Sequence, residues 1–390
     1  MSHILIFVFI PFIHAQSVER SNEAIVHVSS SEELRRALAE AGPGTTIQLR
    51  PGTYRGGVHA SGLAGAPGRP IVIEAAEPDQ PPVFEGGGNS IHLSSPSHVE
   101  LRGLVLTGAT GNGLNIDDGG SFDTPAQHIV LKDLVVQDVG PQGNRDGIHL
   151  SGVVDFRVEG CTVERWGRGG SAIDMVGCHQ GEIVFSTFRH EEDASNANGV
   201  QAKGGSTAIV VKHCRFEHAG GRALNVGGSN GMAYFRPEPK GFEAKDITVE
   251  DCTIIGSLAP VAFIGVDGAV VQHNTIYRPR RWALRILQET HRPDFVPSRN
   301  GQFTDNIIAF RFDEMVLPIN VGGGTAPETF TLERNVWYCL DDPARSRPRL
   351  PIPEEEGVYG VDPQFLDAER GDLRLRPGNP VAPAGAAADR

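Results

Sequence analysis

The sequence predicts an all-β protein folded as a single-stranded parallel β-helix of about ten coils. The first reason is a repeat: nine segments share the pattern apolar-x-apolar-x-x-(Cys, Asn, Leu or Ser)-x-apolar and recur about every 29 residues. Apolar and polar residues alternate inside these segments, which indicates strands and excludes helical repeats. The second reason is composition, because 48 Gly and 27 Pro with 7% aromatic residues suit short strands joined by many turns.

Each repeat carries a small, amide or leucine side chain at its sixth position. Coils of a parallel β-helix stack at the strand spacing of about 4.8 Å, so equivalent positions should form one column inside the protein. Asparagines in such a column can hydrogen-bond to one another, and cysteines can fill it as small apolar groups. We therefore predict that Cys161, Cys214 and Cys252 are buried thiols and not disulfide partners. The column contains Leu104, Leu134, Cys161, Ser186, Cys214, Cys252, Asn274, Asn306 and Asn335.

Both ends of the repeat region carry candidate caps. Residues 29–44 predict an amphipathic helix that begins with a capping box of Ser30 and Glu33. Such a helix can close the open end of a stacked fold, which otherwise exposes its core and its strand edges. Residues 361–381 are interpreted as a closing segment, and residues 382–390 are expected to be a disordered tail.

The N-terminus and the net charge restrict the possible location and partners. The apolar run at residues 4–13 is too short to span a bilayer, and residues 1–15 are interpreted as a secretory signal peptide ahead of a β-helix domain at 25–380. A net charge of −13 argues against nucleic-acid binding, which needs a basic face. We expect a secreted monomer with no membrane span and no nucleic-acid partner.

A second set of strands precedes the repeat strands and carries polar residues on its outward face. Successive residues of a strand face opposite sides, so the central polar residues should form one vertical strip. The expected strip contains Asn115, His149, Asp174, Gln201 and Asn225, with Arg285 following beyond an apolar coil at 262–266. Asp146, Lys203 and Arg222 are expected on the same face. Insertions at 229–245 and 288–300 follow these strands and would turn the strip into a cleft.

The mixture of residue types on this face suits cleavage of an acidic polysaccharide by β-elimination. The reaction needs a base for the C5 proton of a uronate, a cation for its carboxylate and an acid for the leaving oxygen. Lys203 is the candidate base and Arg222 a candidate partner, while His149 and Asp174 could act as a base pair or orient sugar hydroxyls. The expected substrate-binding residues are Asp146, Gln201, Asn225, Arg281, Trp282 and Arg285.

Two stretches resemble a known group of proteins. The segment SSSEELRRALAEAGPGTTIQLRPGTYRGG, residues 29–57, resembles the N-terminal cap and first coil of secreted right-handed parallel β-helix proteins of the pectate lyase-like superfamily. These include alginate lyases and chondroitinase-B-type polysaccharide lyases. The segment DPQFLDAERGDLRLRPGNP, residues 362–380, resembles the C-terminal motif of bacterial β-helix repeat proteins. The resemblance implies a right-handed coil.

The resemblance also implies roles for particular residues. In these lyases a lysine in the groove acts as base and an arginine about one coil later assists, and Lys203 and Arg222 are similar in setting. Arg222 departs from the family pattern because it precedes its strand instead of lying near the strand end. Some of these lyases use calcium near the base. Glu191, Glu192 and Asp193 supply the oxygen ligands that Ca²⁺ prefers, although an acidic surface loop has the same composition.

Three alternatives remain at this point. A glycoside hydrolase would need two carboxylates, for which Asp146 and Asp174 are the candidates. A C5-epimerase would share the proton abstraction without cutting the chain. A non-catalytic polysaccharide-binding or cell-surface solenoid would show the same strip and no turnover.

Overall fold

The computed structural model describes residues 24–386 and contains three long parallel sheets, as the repeat predicts. Each coil contributes one strand to each sheet in turn, so neighbouring strands of a sheet come from successive coils. This is the architecture of a right-handed parallel β-helix, and the predicted fold class is confirmed. The predicted signal peptide at residues 1–15 lies outside the described residues.

Sheet 1 carries the first half of each repeat segment and has 13 strands within the described residues. Its strands are Ala24–Val28, Thr45–Leu49, Ile71–Ala75, Ser97–Arg102, Ala126–Lys132, Val153–Glu159, His179–Val184, Ser206–Lys212, Ala244–Glu250, Val266–Gln272, Arg299–Thr304, Thr331–Glu333 and Glu354–Glu355.

Sheet 2 contains the strands predicted to carry polar residues outward and has ten strands within residues 24–386. Its strands are Val58–Ser61, Ile91–Ser94, Leu114–Asp117, Ile148–Ser151, Ser171–Val176, Asn198–Lys203, Arg222–Gly227, Ala259–Ile264, Trp282–Leu287 and Leu317–Val321.

Sheet 3 consists of short strands that follow those of sheet 1 after one turn. Its strands are Thr53–Arg55, Val83–Glu85, Val105–Thr107, Val135–Gln137, Thr162–Glu164, Thr187–Arg189, Arg215–Glu217, Thr253–Ile255, Thr275–Tyr277, Ile307–Phe310, Val336–Cys339 and Val358–Tyr359.

One left-handed residue makes the turn from sheet 1 to sheet 3 in each repeat. The fifth position of the repeat has a positive φ, for example 64° at Gly160, 53° at His213 and 55° at Asp305. This conformation bends the chain sharply and directs the next residue, the sixth of the repeat, into the core. The repeat pattern is therefore a strand, a one-residue bend and a second strand.

The predicted inner column is buried throughout, from Leu104 to Asn335. All five cysteines are free and buried, so the prediction of core thiols is confirmed for Cys161, Cys214 and Cys252. The asparagines at the C-terminal end of the column form the expected stack. Asn306 accepts hydrogen bonds from the backbone N–H and side-chain amide of Asn274, at 2.9 and 3.0 Å, and donates to Asn335 at 3.0 Å.

Replacing Asn306 with alanine should lower the free energy of unfolding by about 3 kcal/mol, because it leaves several buried polar groups unpaired. The expected result is an earlier midpoint in urea unfolding followed by circular dichroism. Gln302, which is exposed on the adjoining strand, is the matched control. Equal midpoints for Asn306→Ala and Gln302→Ala would show that the stack contributes little stability.

The N-terminal cap is a helix, α1, that spans Ser31–Glu40 and buries Leu34, Ala37 and Leu38. Ser30 Oγ accepts the Glu33 N–H at 3.2 Å, as a capping box requires, whereas the Glu33 carboxylate bonds to Ser29 instead of Ser30. Four short 3₁₀ helices occur in the described chain: Met232–Tyr234, Pro327–Thr329, Pro343–Arg345 and Ala368–Arg370. No helix among the described residues is long and apolar enough to cross a bilayer.

The closing segment contains an antiparallel pair, Phe365–Asp367 with Asp372–Leu375. The first part of the expected tail is packed: Ala384 is buried in a small cluster with Val381, and the Gly385 N–H donates to the Asp305 carbonyl at 2.8 Å. The chain therefore remains in contact with the coils beyond the expected closing segment, up to the last residue described.

Candidate functional site

The strand pairing of sheet 2 brings the predicted polar residues into one column. Asn115 pairs with His149, His149 with Asp174, Asp174 with Gln201 and Gln201 with Asn225. We call this column, from His59 to Asn320, the polar strip. Its members, in order along the chain, are His59, His92, Asn115, His149, Asp174, Gln201, Asn225, Ala262, Arg285 and Asn320.

One coil was aligned two residues out of register in the sequence-based prediction. Ala262, and not the central residue of 262–266, pairs with Asn225 and occupies the strip. The strand Ala259–Ile264 is buried at every position, so it has no polar residue to mark its outer face. The predicted interruption of the strip between Asn225 and Arg285 is nevertheless present.

The centre of the strip is a cluster of four ionisable side chains from three successive coils. His149 Nδ1 lies 3.0 Å from Asp146 Oδ2 and 3.7 Å from Asp174 Oδ2. Lys203 Nζ lies 3.1 Å from the same Asp174 oxygen. The Asp146 and Asp174 side chains are only 3% exposed, whereas those of His149 and Lys203 are 24% and 13% exposed. We call these four residues the central cluster.

Burial and neighbouring charges shift the pKa values of Asp174 and His149. Burial, the largest influence, and the nearby Asp146 carboxylate raise the pKa of Asp174, against the opposing effects of Lys203 and His149. Burial lowers the pKa of His149, but its hydrogen bond to Asp146 and the carboxylate charges outweigh this, so the net pKa is raised. The pKa values of the Asp174 carboxyl and the His149 imidazole are therefore both above their ordinary values.

The two carboxyls of the central cluster differ in their hydrogen bonds. Asp146 Oδ1 accepts the Ser171 N–H at 2.8 Å, and the Asp146 N–H donates to Asn112 Oδ1 at 2.9 Å. Asp174 differs, because its Oδ1 is buried and has no hydrogen-bond partner. Buried polar atoms are normally paired, so this oxygen is an exception that needs an explanation.

Gln201 and Asn225 lie on the strip but are almost completely buried. Gln201 Oε1 accepts from Ser171 Oγ and Asn198 Nδ2, each at 3.2 Å. Gly228 lies so close above Gln201 that a Cβ there would come within 2.6 Å of Nε2. The chain that follows the strand Arg222–Gly227 thus covers the Gln201 amide, and the expected contact of Gln201 and Asn225 with substrate stays a prediction.

Three arginines surround the C-terminal part of the strip. Arg222 Nη2 donates to Glu289 Oε1 at 2.7 Å, which joins the strip to the second insertion. The guanidinium carbons of Arg281 and Arg285 lie 4.5 and 4.2 Å from the Trp282 ring centroid. Burial first, and then the charge of Arg222, lower the pKa of Arg285. This group of positively charged side chains is therefore suited to binding an anion.

The strip extends further toward the N-terminus than the sequence analysis predicted. The imidazole rings of His59 and His92 stack with centroids 4.6 Å apart, and His92 Nε2 lies 2.6 Å from Asp117 Oδ2. Ser94 Oγ donates to the other Asp117 oxygen at 2.7 Å. The sequence does mark His92, because the same four residues, IHLS, occur at 91–94 and at 148–151, where they include His149.

The two insertions pack together beside the strip. Phe235 and Phe295 form an edge-to-face pair with centroids 5.6 Å apart, and the Val296 N–H donates to the Gly241 carbonyl at 2.8 Å. Arg236 Nε also donates to the buried Asp118 Oδ2 at 2.8 Å. The insertions therefore form one wall next to Lys203 and Arg222.

A buried carboxyl, Glu243, joins this wall to the strand that ends at Lys203. Its oxygens accept the Gly204 N–H at 3.0 Å, the Asn230 N–H at 3.2 Å and the Thr290 hydroxyl. Burial is the main reason that the pKa of Glu243 is raised. Glu243 was not predicted as a site residue, since nothing in its local sequence marks it as buried or as the contact point of three segments.

The acidic side chains that were expected to bind calcium pair with arginines instead. Arg168 bonds to the carboxylates of Glu191 and Asp193, and Glu192 lies 3.7 Å from Arg280 Nη1. These contacts do not fit a calcium site, so we derive no chemistry from calcium there. Among the described residues, one group of three side chains is placed as metal ligands would be: Asp146, His149 and Asp174. Their ligand atoms lie within 4.8 Å of one another.

No protein-family model and no curated protein matches the sequence. Solved structures do match in fold. An alginate lyase from Paenibacillus sp. str. FPU-7 superposes with a TM-score of 0.52 and 17% identity, over 77% of this chain and 99% of that one. A pectate lyase, Pel9A, gives a TM-score of 0.54 and 14% identity, over 81% and 80% of the two chains.

A third match extends over nearly the whole of both proteins. A PL6 family polysaccharide lyase from Pseudopedobacter saltans gives a TM-score of 0.52 and 12% identity, over 93% of this chain and 99% of that one. The fold is that of the pectate lyase-like β-helix proteins. At these identities the likeness concerns the fold alone, so activity has to be argued from the site.

Proposed function

We propose that the protein is a secreted polysaccharide lyase that cleaves a uronate-containing polysaccharide by β-elimination, with Lys203 as the base. The observation that carries the proposal is the position of Lys203, whose ammonium lies 3.1 Å from a buried carboxyl on a polar strip that continues toward Arg222 and Arg285. The named structural neighbours include enzymes that act on alginate and pectate, which supports this class of substrate.

Lys203 needs a neutral amine to accept the C5 proton of the uronate. Burial raises the pKa of the Asp174 carboxyl, whose Oδ2 lies 3.1 Å from Lys203 Nζ and 3.7 Å from His149 Nδ1. Asp174 is therefore a positioning residue that holds both Lys203 and His149.

The arginines lie on other coils than Lys203, since Arg222 is on the next coil and Arg285 is two coils beyond that. They therefore suit the carboxylate of a neighbouring uronate of the same chain. Arg222 and Arg285 are close enough for the charge of one to lower the pKa of the other, and Glu289 is their nearby acidic neighbour. A uronate carboxylate would relieve this repulsion and accept bidentate hydrogen bonds.

His149 is the proposed acid for the leaving oxygen. The Asp146 and Asp174 carboxyls raise its pKa and so favour the imidazolium form, and its side chain is the most exposed of the central cluster. In the reaction the C5–H bond breaks and its proton passes to Lys203 Nζ. The electron pair forms the C4–C5 double bond, the C4–O bond breaks, and His149 protonates the departing oxygen.

The glycoside hydrolase alternative fits the geometry less well. Hydrolases place a sugar between carboxyl groups about 5–5.5 Å apart when retaining and about 6.5–9.5 Å apart when inverting. Ligand atoms of Asp146 and Asp174 come within 4.8 Å of each other, and the His149 ring nitrogen contacts both. The two carboxyls are therefore closer than either hydrolase class requires, and both are almost completely buried.

The test is a panel of alginate, pectate, glucuronan and glycosaminoglycan substrates with purified protein. A lyase produces ultraviolet absorbance from the unsaturated uronate on at least one of them. New reducing ends without that absorbance would favour the hydrolase. Deuterium incorporation at C5 without chain cleavage would favour the epimerase, and binding without any product would favour a non-catalytic solenoid.

A further inference from the structure

We infer that Asp146, His149 and Asp174 form a binding site for a divalent transition-metal ion, with Zn²⁺ as the best fit. The inference does not depend on the lyase reaction: with zinc bound, His149 is a neutral ligand and not the acid for a leaving oxygen, so the two proposals are tested separately. It also differs from the calcium expected at residues 191–193, in both position and chemistry.

The first observation is the geometry of the three ligands. The His149 nitrogen lies 3.0 Å from an Asp146 oxygen and 3.7 Å from an Asp174 oxygen. Ligands of a tetrahedral zinc at about 2.0–2.1 Å lie about 3.4 Å apart, and the two observed distances bracket that value. Three protein ligands would leave the fourth position for water or a substrate oxygen, as in catalytic zinc sites.

The second observation is the unpaired oxygen of Asp174. Asp174 is 2% exposed, and its Oδ1 has no hydrogen-bond partner although its Oδ2 contacts Lys203 and His149. A buried carboxylate oxygen without a partner is costly, and a bound cation would satisfy it. The 3.7 Å distance to His149 concerns Oδ2, so a metal bound through Oδ1 requires the Asp174 carboxylate to rotate.

Ligand chemistry selects the metal. Calcium prefers six to eight oxygen ligands, whereas an imidazole nitrogen with two carboxylates suits zinc or a similar transition ion. Two carboxylates and one ammonium leave one surplus negative charge when the imidazole is neutral, so a dication gives the site a surplus positive charge. Such a site would attract an anionic ligand from the groove.

Isothermal titration of ZnCl₂ into untagged, chelator-treated protein tests the inference. We expect one zinc per chain, no competition from CaCl₂, and at least about 100-fold weaker binding for Asp174→Asn and for His149→Gln. Asp117→Asn is the matched control, because Asp117 also contacts a histidine of sheet 2 but lies outside the three ligands. Zinc binding that is absent, or unchanged in both ligand variants, would overturn the site.

Zinc-edge X-ray absorption of the wild-type protein provides a measurement that does not depend on variants folding. The expected first shell contains nitrogen and oxygen at about 2.0–2.1 Å and no sulfur. Sulfur ligands would assign the metal to the cysteines and refute the proposal. Because both readouts measure binding, a protein without lyase activity can still confirm the metal site, and an active lyase can still lack it.

Discussion

Replacing Lys203 with methionine should reduce product formation on the best substrate by at least about a thousandfold, because the base is lost while the apolar stem is kept. Lys203→Arg should be equally inactive, since a guanidinium keeps the positive charge but cannot accept a proton. The measurement is the initial rate of ultraviolet absorbance, with circular dichroism to verify folding.

Lys212 provides the control for this experiment. It lies at the end of the next strand of sheet 1, away from the strip, so Lys212→Met should keep the wild-type rate. Substantial activity in Lys203→Arg would show that Lys203 contributes charge and not proton transfer. Substantial activity in Lys203→Met would remove this residue from the mechanism altogether and direct attention to His149.

Replacing Glu243 with alanine should lower the free energy of unfolding of the insertion wall by about 3 kcal/mol. The change leaves two backbone N–H groups and the Thr290 hydroxyl without their acceptor, in a place where Glu243 is completely buried. We expect faster cleavage by a nonspecific protease within residues 229–245 and 288–300, and a lower melting temperature. Cleavage sites are identified by mass spectrometry.

Glu238→Ala is the control, because Glu238 is exposed on the same insertion. It should match the wild type in both protease resistance and melting temperature. If Glu243→Ala behaves like Glu238→Ala, the two insertions are held by the Phe235–Phe295 contact and not by this carboxyl. If substrate turnover falls in Glu243→Ala while the fold remains, the carboxyl positions the Lys203 strand.

The regular part of the site could be predicted because parallel coils stack in register. Once Asn115, His149 and Asp174 are recognised as equivalent positions, their alignment follows from strand pairing alone. The predicted alignment was two residues out of register at Ala259–Ile264. Every residue of this strand is buried, so there is no alternation of apolar and polar residues to show which ones face outward. His92 was not predicted because the strand at 91–94 was left out of the alignment. Its sequence, IHLS, is identical to residues 148–151, which contain His149.

The repeat, the alternation and the composition determined the β-helix, its buried cysteine and asparagine column and the outward face that carries the strip. These properties depend on spacing along the chain, which is visible in the sequence. Only the tertiary structure decided that Lys203 contacts Asp174, that arginines occupy the acidic loop and that Glu243 joins the insertions to the Lys203 strand. Those contacts depend on side-chain directions and on irregular loops that meet across coils, and no local pattern encodes such distances.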